Sequence, residues 1–169
     1  MKTVIFFLFI VSPLISKGQK ITVDEFDKFL HFRRVETSPV WLKQGLSNGI
    51  GVYFRSADSS YFITLKGYGE GADVIGSDDK LIFLLGNDST ITIKSTGIQD
   101  YEIGMGNSPN YYTHQYSIQL EEIREMQIHT IKSIRKYGGG GYTDIDLPQK
   151  NHAKVKPLAE LFLNTLSKK

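Results

Sequence analysis

The stretch KLIFLLGNDSTITIKS, residues 80–95, decides the fold. Its first half is apolar at every position from 81 to 85, so an extended chain would bury both of its faces there. Turn-forming residues follow at 86–89. In the second half, Ile91 and Ile93 alternate with threonine and lysine, which is the two-residue period of a strand with one buried face. The stretch therefore predicts a β-hairpin near the middle of a sheet.

Outward from this hairpin, shorter alternating segments predict further strands. A second hairpin pattern consists of residues 50–55 and 61–66, which are joined by a polar turn. Other segments with strand character are residues 26–36, 114–118, 128–137 and 142–147. Seven or eight short strands joined by short turns imply antiparallel pairing, because parallel strands need long crossover connections.

Two segments have helical rather than strand spacing. Residues 119–127 predict a short helix with acidic side chains on its solvent side. Near the C terminus, apolar residues at helical spacing predict an amphipathic helix over about 152–167: Val155, Leu158, Ala159, Phe162 and Leu166. We therefore expect an α+β domain, mostly an antiparallel sheet of seven to eight strands in a roll or partly open barrel. The C-terminal helix should pack on the sheet, because it must bury its apolar stripe.

Two segments have less regular patterns. Residues 41–46 favour one helical turn that places the single tryptophan, Trp41, in the core. Residues 96–113 contain glycine, asparagine and proline and predict the longest irregular segment of the chain. Because long irregular segments of compact domains are often functional, this segment is a candidate for ligand contact.

The first residues predict export. Residues 1–18 combine an early lysine, a short apolar run and a small-residue cleavage site, which is typical of a secretory signal peptide. Cleavage after Gly18 would leave residues 19–169 as one domain in the periplasm or outside the cell. That domain would have no disulfides, because the chain contains no cysteine. After the leader, no apolar run is long enough for a transmembrane helix.

The charge balance argues against a nucleic-acid partner. The chain carries 20 lysine and arginine residues and 18 aspartate and glutamate residues. Lys2 and Lys17 would leave with the signal peptide, so the remaining domain would be neutral. Nucleic-acid binding needs a basic surface. The expected partner is therefore a protein, a peptide or a glycan.

No residue pattern predicts a metal site, a cofactor or an established catalytic arrangement. The chain has no nucleophile elbow and no phosphate-binding glycine motif. Its histidines lack the spacing of a zinc site: His31, His114, His129 and His152. A hydrolase would need His114 or His129 beside a carboxylate.

The tyrosines are the most distinctive set of side chains. Four of them lie in or beside residues 96–113: Tyr101, Tyr111, Tyr112 and Tyr116. A tyrosine offers a rigid ring with a polar tip, which suits stacking on a sugar or anchoring a peptide. The same rings could instead hold the segment against the sheet. These four residues are the predicted ligand-binding site, with packing as the alternative.

Several features together resemble small exported β-rich proteins of unassigned activity that are common in Bacteroidetes-type bacteria. The features are the leader end Ser16-Lys17-Gly18-Gln19, the segment from Phe26 to Glu36-Thr37, the strand Lys80-Leu81-Ile82-Phe83, Tyr116-Ser117-Ile118 before an acidic helix, and Ile134-Arg135. The resemblance covers most of residues 19–169. It implies a periplasmic or secreted β-rich domain and no catalytic residue.

These observations favour an exported, non-enzymatic domain that binds or interacts with a ligand. Two alternatives stay open. One is a hydrolase of the cell envelope with a histidine and a carboxylate in a common pocket. The other is a structural accessory subunit that pairs with its partner through an exposed sheet edge.

Overall fold

The computed structural model of the chain describes residues 18–29, 31–69, 74–104 and 109–168. The predicted signal peptide, apart from Gly18, lies outside the described residues. Residues 30, 70–73, 105–108 and 169 also lie outside them. Export therefore stays a prediction from the sequence.

Ten strands and two α-helices make up most of the described residues. The strands are β1 (Ile21–Asp27), β2 (Phe32–Thr37), β3 (Val40–Gln44), β4 (Gly49–Ala57), β5 (Ser60–Tyr68), β6 (Lys80–Leu85), β7 (Thr90–Glu102), β8 (Tyr111–Ser117), β9 (Ile131–Gly138) and β10 (Gly141–Asp146). The helices are α1 (Leu120–Ile128) and α2 (Val155–Leu166), and a short 3₁₀ turn at Gln149–Asn151 precedes α2. Every strand pair is antiparallel, which confirms the predicted α+β class.

The predicted central hairpin is confirmed as β6 and β7. Phe83 lies opposite Ile91 in its register, and both side chains are buried. A slip of one residue would turn these side chains toward the opposite face of the sheet. The apolar alternation therefore sets the register of the hairpin.

The strands form one open sheet in the order β1-β2-β4-β5-β8-β7-β6-β9-β10. β2 pairs with residues 55–57 of β4, and β3 pairs with residues 49–52 of the same strand. At the other end of the order, β10 pairs with β9 alone among the described strands. The sheet is therefore not closed into a barrel.

One face of the sheet, here called the inner face, forms the core together with the helices. Phe54 on β4 and Phe162 on α2 stack with their ring centroids 5.4 Å apart, and both are fully buried. The predicted apolar stripe of α2 is confirmed, because Val155, Leu158 and Ala159 are buried beside Phe162. Burial of each large apolar side chain stabilises the fold by about 1.5–3 kcal/mol.

The short helix α1 is confirmed close to its predicted position. The backbone amide of Gln119 donates to the carboxylate of Glu122 at 2.7 Å, which satisfies a backbone group at the start of the helix. Ile123 and Met126 are its buried residues. Within the described residues, neither helix is long and apolar enough to cross a bilayer.

The prediction of a long irregular segment at residues 96–113 is wrong. β7 and β8 occupy most of this segment and pair with each other. Gly97 has a φ of +75°, and the pairing shifts register between Ser95 and Gln99. A β-bulge of this kind absorbs extra residues in one strand while the pairing continues beyond it. The glycine therefore bends the strand without ending it.

Two further predictions are wrong. Residues 41–46 contain no helical turn, because β3 covers most of them and pairs with β4. The predicted strand at residues 26–36 is part of a hairpin made by β1 and β2. These differences explain why the sheet has ten strands where seven to eight were predicted.

Candidate functional site

A cavity of about 210 Å³ lies at the edge of the sheet in the described part of the chain. Strands β3 and β4 form one side of it, β9 and β10 form the other, and β5 and β8 contribute between them. Since these two groups lie far apart in the strand order, the sheet curls until β10 faces β3 across an opening. We call this opening the rim cavity, and its lining residues are Lys43, Asn48, Gly49, Ile50, Tyr68, Tyr112, Lys136, Thr143, Asp144 and Ile145.

Tyr112 forms the inner wall of the rim cavity. It lies on the inner face of β8, opposite Gly67 of β5, and is 6% exposed. A Cβ atom on Gly67 would overlap the tyrosine ring, so the glycine provides the space for it. The ring of His114 stacks on the ring of Tyr112, with the two ring centroids 4.9 Å apart. These neighbours hold Tyr112 in one orientation.

A buried cation lies next to this aromatic wall. The ammonium group of Lys136 is 5.2 Å from the centroid of the Tyr112 ring. Lys136 is 3% exposed and lies on the inner face of β9, between Leu81 and Thr143 of the neighbouring strands. Removing an ammonium group from water is unfavourable unless other groups compensate. The negative face of an aromatic ring supplies part of that compensation.

The opposite wall comes from β3, β5 and the turn before β4. The hydroxyl of Tyr68 donates to the carbonyl oxygen of Gly45 at 2.8 Å. The ring of Tyr68 packs against Trp41 and Tyr111, with centroid distances of 5.4 and 5.9 Å. These contacts fix the turn relative to the sheet. Lys43 of β3 is exposed and lines the cavity, so a second amine is accessible from solvent.

Asp144 is the acidic residue of the lining, and Arg135 engages it. The guanidinium group donates two hydrogen bonds to the Asp144 carboxylate, at 2.6 and 2.7 Å. These hydrogen bonds hold the pKa of Asp144 below its ordinary value and raise the pKa of Arg135. Arg135 also lies 4.3 Å from the centroid of the Tyr142 ring. The described lining thus contains two lysines and one carboxylate, and that carboxylate is hydrogen-bonded to an arginine.

The structure separates the four predicted ligand-binding tyrosines. Tyr112 lines the rim cavity, and Tyr111 packs against Tyr68 at its wall. Tyr101 lies opposite Tyr112 in the register of β7 and β8, and it is 53% exposed. Tyr116 is fully buried in the core, and this burial raises the pKa of its hydroxyl. The structure therefore places Tyr112 in the cavity lining, Tyr111 against Tyr68, and Tyr116 in the core.

The site residues predicted from the sequence include neither lysine of the rim cavity. Lys136 follows Ile134 by two residues in β9, and both are buried on the inner face. The two-residue period of a strand is the signal that could have identified Lys136. The two-residue period does not identify Lys43, because residues 41–46 were predicted to form a helical turn.

Of the two histidines named for a hydrolase, His129 lies beside a carboxylate and His114 lies beside an aromatic ring. No group of three histidine, cysteine, aspartate or glutamate side chains in the described part of the chain could bind a metal. His129 Nε2 lies 3.5 Å from Glu125 Oε2 at the end of α1, and neither residue lines the rim cavity. His114 is buried against Tyr112.

In comparisons with known proteins, the chain matches no protein-family model, no curated protein and no solved structure. The residues of the rim cavity are therefore the basis for assigning a function.

Proposed function

We propose that the chain is an exported, non-enzymatic binding domain whose ligand occupies the rim cavity. The observation that carries this proposal is the composition of the cavity lining. Two lysine amines, an asparagine amide and a threonine hydroxyl lie around tyrosine walls. Ligand sites typically combine such walls with a few polar groups that orient the ligand. The leader at residues 1–18 supports export.

The size of the rim cavity limits the ligand. Its volume of about 210 Å³ is below the range of about 300–1,000 Å³ that is usual for drug-sized ligands. The ligand is therefore a small molecule, or it places one sugar unit or one side chain in the cavity. The strands that carry the lining give the site a fixed geometry, which lowers the entropy cost of binding.

The proposal is tested by filling the cavity. Thr143 lies on the exposed strand β10, so Thr143→Trp adds a large side chain to the cavity without entering the core. The matched control is Thr92→Trp, at an exposed position of β7 outside the cavity. Both variants and the parent protein are screened by thermal shift against glycans, peptides, lipids and metals.

A specific ligand at a hundredfold excess over its dissociation constant adds about 2.7 kcal/mol of stability. We expect this stabilisation for the parent protein and for Thr92→Trp, and its loss in Thr143→Trp. A ligand that stabilises all three proteins equally would place binding elsewhere and refute the proposal.

The exposed edge of β10 favours a second candidate function, pairing with a strand of a partner protein. Five of the six residues in Gly141–Asp146 are exposed, and β9 is the strand paired with them among the described residues. Open strand edges can add an extended segment of a partner through backbone hydrogen bonds. A peptide whose binding protects the β10 amides from hydrogen exchange, and which still binds Thr143→Trp, would favour this candidate.

A further inference from the structure

We propose that the ligand of the rim cavity is an extended polypeptide segment, which adds to the open edge of β10 and places one apolar side chain in the cavity. This inference rests on the proposed function, because it names the class of ligand for the same site. It joins two properties of β10, which lines the cavity and is also the last strand of the sheet among the described residues.

The backbone of β10 directs hydrogen-bonding groups toward its open side. The amide of Leu147, directly after the strand, donates to the carbonyl oxygen of Lys132 in β9 at 3.0 Å. In an antiparallel pair, every second residue bonds to the same neighbouring strand. Thr143 and Ile145 therefore bond to β9 as Leu147 does. The residues between them direct their N–H and C=O groups away from β9: Tyr142, Asp144 and Asp146.

The edge of β10 lacks several features that usually hinder strand addition. Its register with β9 is continuous, and its six residues include no proline and no lysine. At the other end of the strand order, β1 has a register shift between Ile21 and Val23 and three acidic residues in its second half. Bulges and charged side chains of this kind protect an edge. Of the two ends of the described sheet, β10 is therefore the one open to an added strand.

A strand added to β10 would direct a side chain into the rim cavity. Thr143 and Ile145 lie on the inner face and line the cavity. Residues directly opposite each other on paired strands project to the same face. The partner residue opposite Thr143 would therefore project into the cavity, where Ile50 and Ile145 offer apolar contacts. The cavity volume of about 210 Å³ suits one such side chain.

The outer face of the same edge favours a basic residue in the partner. Asp144 and Asp146 both project to this face, because side chains alternate along a strand. Arg135 donates two hydrogen bonds to Asp144, whereas Asp146 is exposed. A lysine opposite Asp146 would place a cation beside this carboxylate. In an antiparallel partner, the apolar residue opposite Thr143 then follows the lysine by three positions.

The probes are hexapeptides of the form acetyl-Lys-Thr-Thr-Z-Tyr-Thr-amide. Z lies opposite Thr143 and is glycine, isoleucine, leucine, phenylalanine or glutamate. Binding to the purified protein is measured by NMR titration. We expect at least one peptide with an apolar Z to bind at least about tenfold more tightly than the glycine peptide, because it buries an apolar side chain. Replacing its lysine by glutamate should weaken binding by about two- to fivefold, since the ion pair is exposed.

Hydrogen exchange then shows whether the bound peptide pairs with β10. At a hundredfold excess over the dissociation constant, exchange of the amides of Tyr142, Asp144 and Asp146 should slow by up to about a hundredfold. The amides of Thr143 and Ile145 already bond to β9, so they are the internal control and should change much less.

Methylation of the peptide backbone provides a matched pair of ligands. N-methylation of the third residue, opposite Asp144, should abolish binding, because the lost amide proton points toward β10. N-methylation of the fourth residue is the control and should weaken binding less, because that amide points away from β10. Equal effects of the two methyl groups would refute backbone pairing.

The outcomes separate this inference from the proposed function. The apolar peptide should bind Thr92→Trp and should not bind Thr143→Trp. A peptide that protects the β10 amides and still binds Thr143→Trp would overturn the inference and favour edge pairing alone. If Thr143→Trp does not fold, the preference for an apolar Z decides.

Failure of every peptide to bind would also overturn the inference. The proposed function would still stand if a small molecule from the thermal-shift screen binds the parent protein and not Thr143→Trp. If the outward amides of β10 are already protected in the free protein, and the protein sediments as a dimer, the edge is occupied by a second copy of the chain and the inference is overturned.

Discussion

The ammonium group of Lys136 and the ring of Tyr112 lie 5.2 Å apart, although two strands separate β9 from β8 in the sheet. A flat sheet would hold these side chains about 14 Å apart, since neighbouring strands lie about 4.8 Å from each other. The curl of the sheet therefore creates the contact across the inner face. The same curl brings β10 toward β3 and opens the rim cavity between them.

The first prediction concerns the space that Gly67 leaves for the Tyr112 ring. Gly67→Ala should lower the free energy of unfolding by about 1–3 kcal/mol, because the added methyl group overlaps the ring. Chemical denaturation measures the loss. Gly141→Ala is the matched control, because its methyl group would have no atom within 4 Å. Equal stability of the two variants would contradict the account of the cavity wall.

The second prediction tests whether Tyr116 packs in the core rather than binding a ligand. Its hydroxyl is buried, and no described residue is its hydrogen-bond partner. Tyr116→Phe should therefore leave the free energy of unfolding unchanged or raise it by up to about 1–2 kcal/mol, because a buried polar group is removed. Tyr68→Phe should instead lower the free energy of unfolding by about 0.5–1.5 kcal/mol, because it removes the hydrogen bond to Gly45. A larger loss in Tyr116→Phe than in Tyr68→Phe would refute this prediction.

The third prediction concerns the packing of α2 on the sheet. Phe162→Ala removes a fully buried ring that stacks on Phe54, and it should lower the free energy of unfolding by about 3–5 kcal/mol. Phe29→Ala removes a ring that is 82% exposed, so its effect should stay within about 0.5 kcal/mol. Thermal and chemical unfolding of both variants test the difference. Similar losses would show that α2 does not complete the core.

The fourth prediction concerns the pH dependence of the ion pair at the edge of the cavity. Hydrogen bonds from Arg135 lower the pKa of Asp144 below its ordinary value of 3.8. The pair therefore stabilises the folded state above the ordinary pKa, and this contribution is lost as the pH falls through the lowered value. In Arg135→Met, we expect the pKa of Asp144 to rise toward its ordinary value in an NMR titration.

Asp24 is the internal control for this titration. Its pKa is lowered by a hydrogen bond from Arg33, with the two atoms 2.7 Å apart, and this pair is independent of Arg135. The pKa of Asp24 should therefore stay low in Arg135→Met. If the pKa values of Asp24 and Asp144 both rise, or if neither rises, Arg135 is not the cause of the lowered pKa of Asp144.

Local patterns predicted the elements whose own residues show a clear period. The hairpin of β6 and β7 follows from alternation and a turn, and α2 follows from apolar residues at helical spacing. β3 was missed because its strand form depends on pairing with β4. The extension of β7 was missed because a glycine that ends one strand looks the same in sequence as a glycine that forms a bulge.

By itself, the sequence determined the α+β class, the central antiparallel hairpin and the apolar stripe of the C-terminal helix. These features follow from periodicity, which reports the face of an element on which a residue lies. Only the tertiary structure decided that Lys43, Lys136 and Tyr112 line one cavity and that Tyr116 belongs to the core. Periodicity does not report the curl of a sheet, and that curl brings together residues that are far apart in the chain.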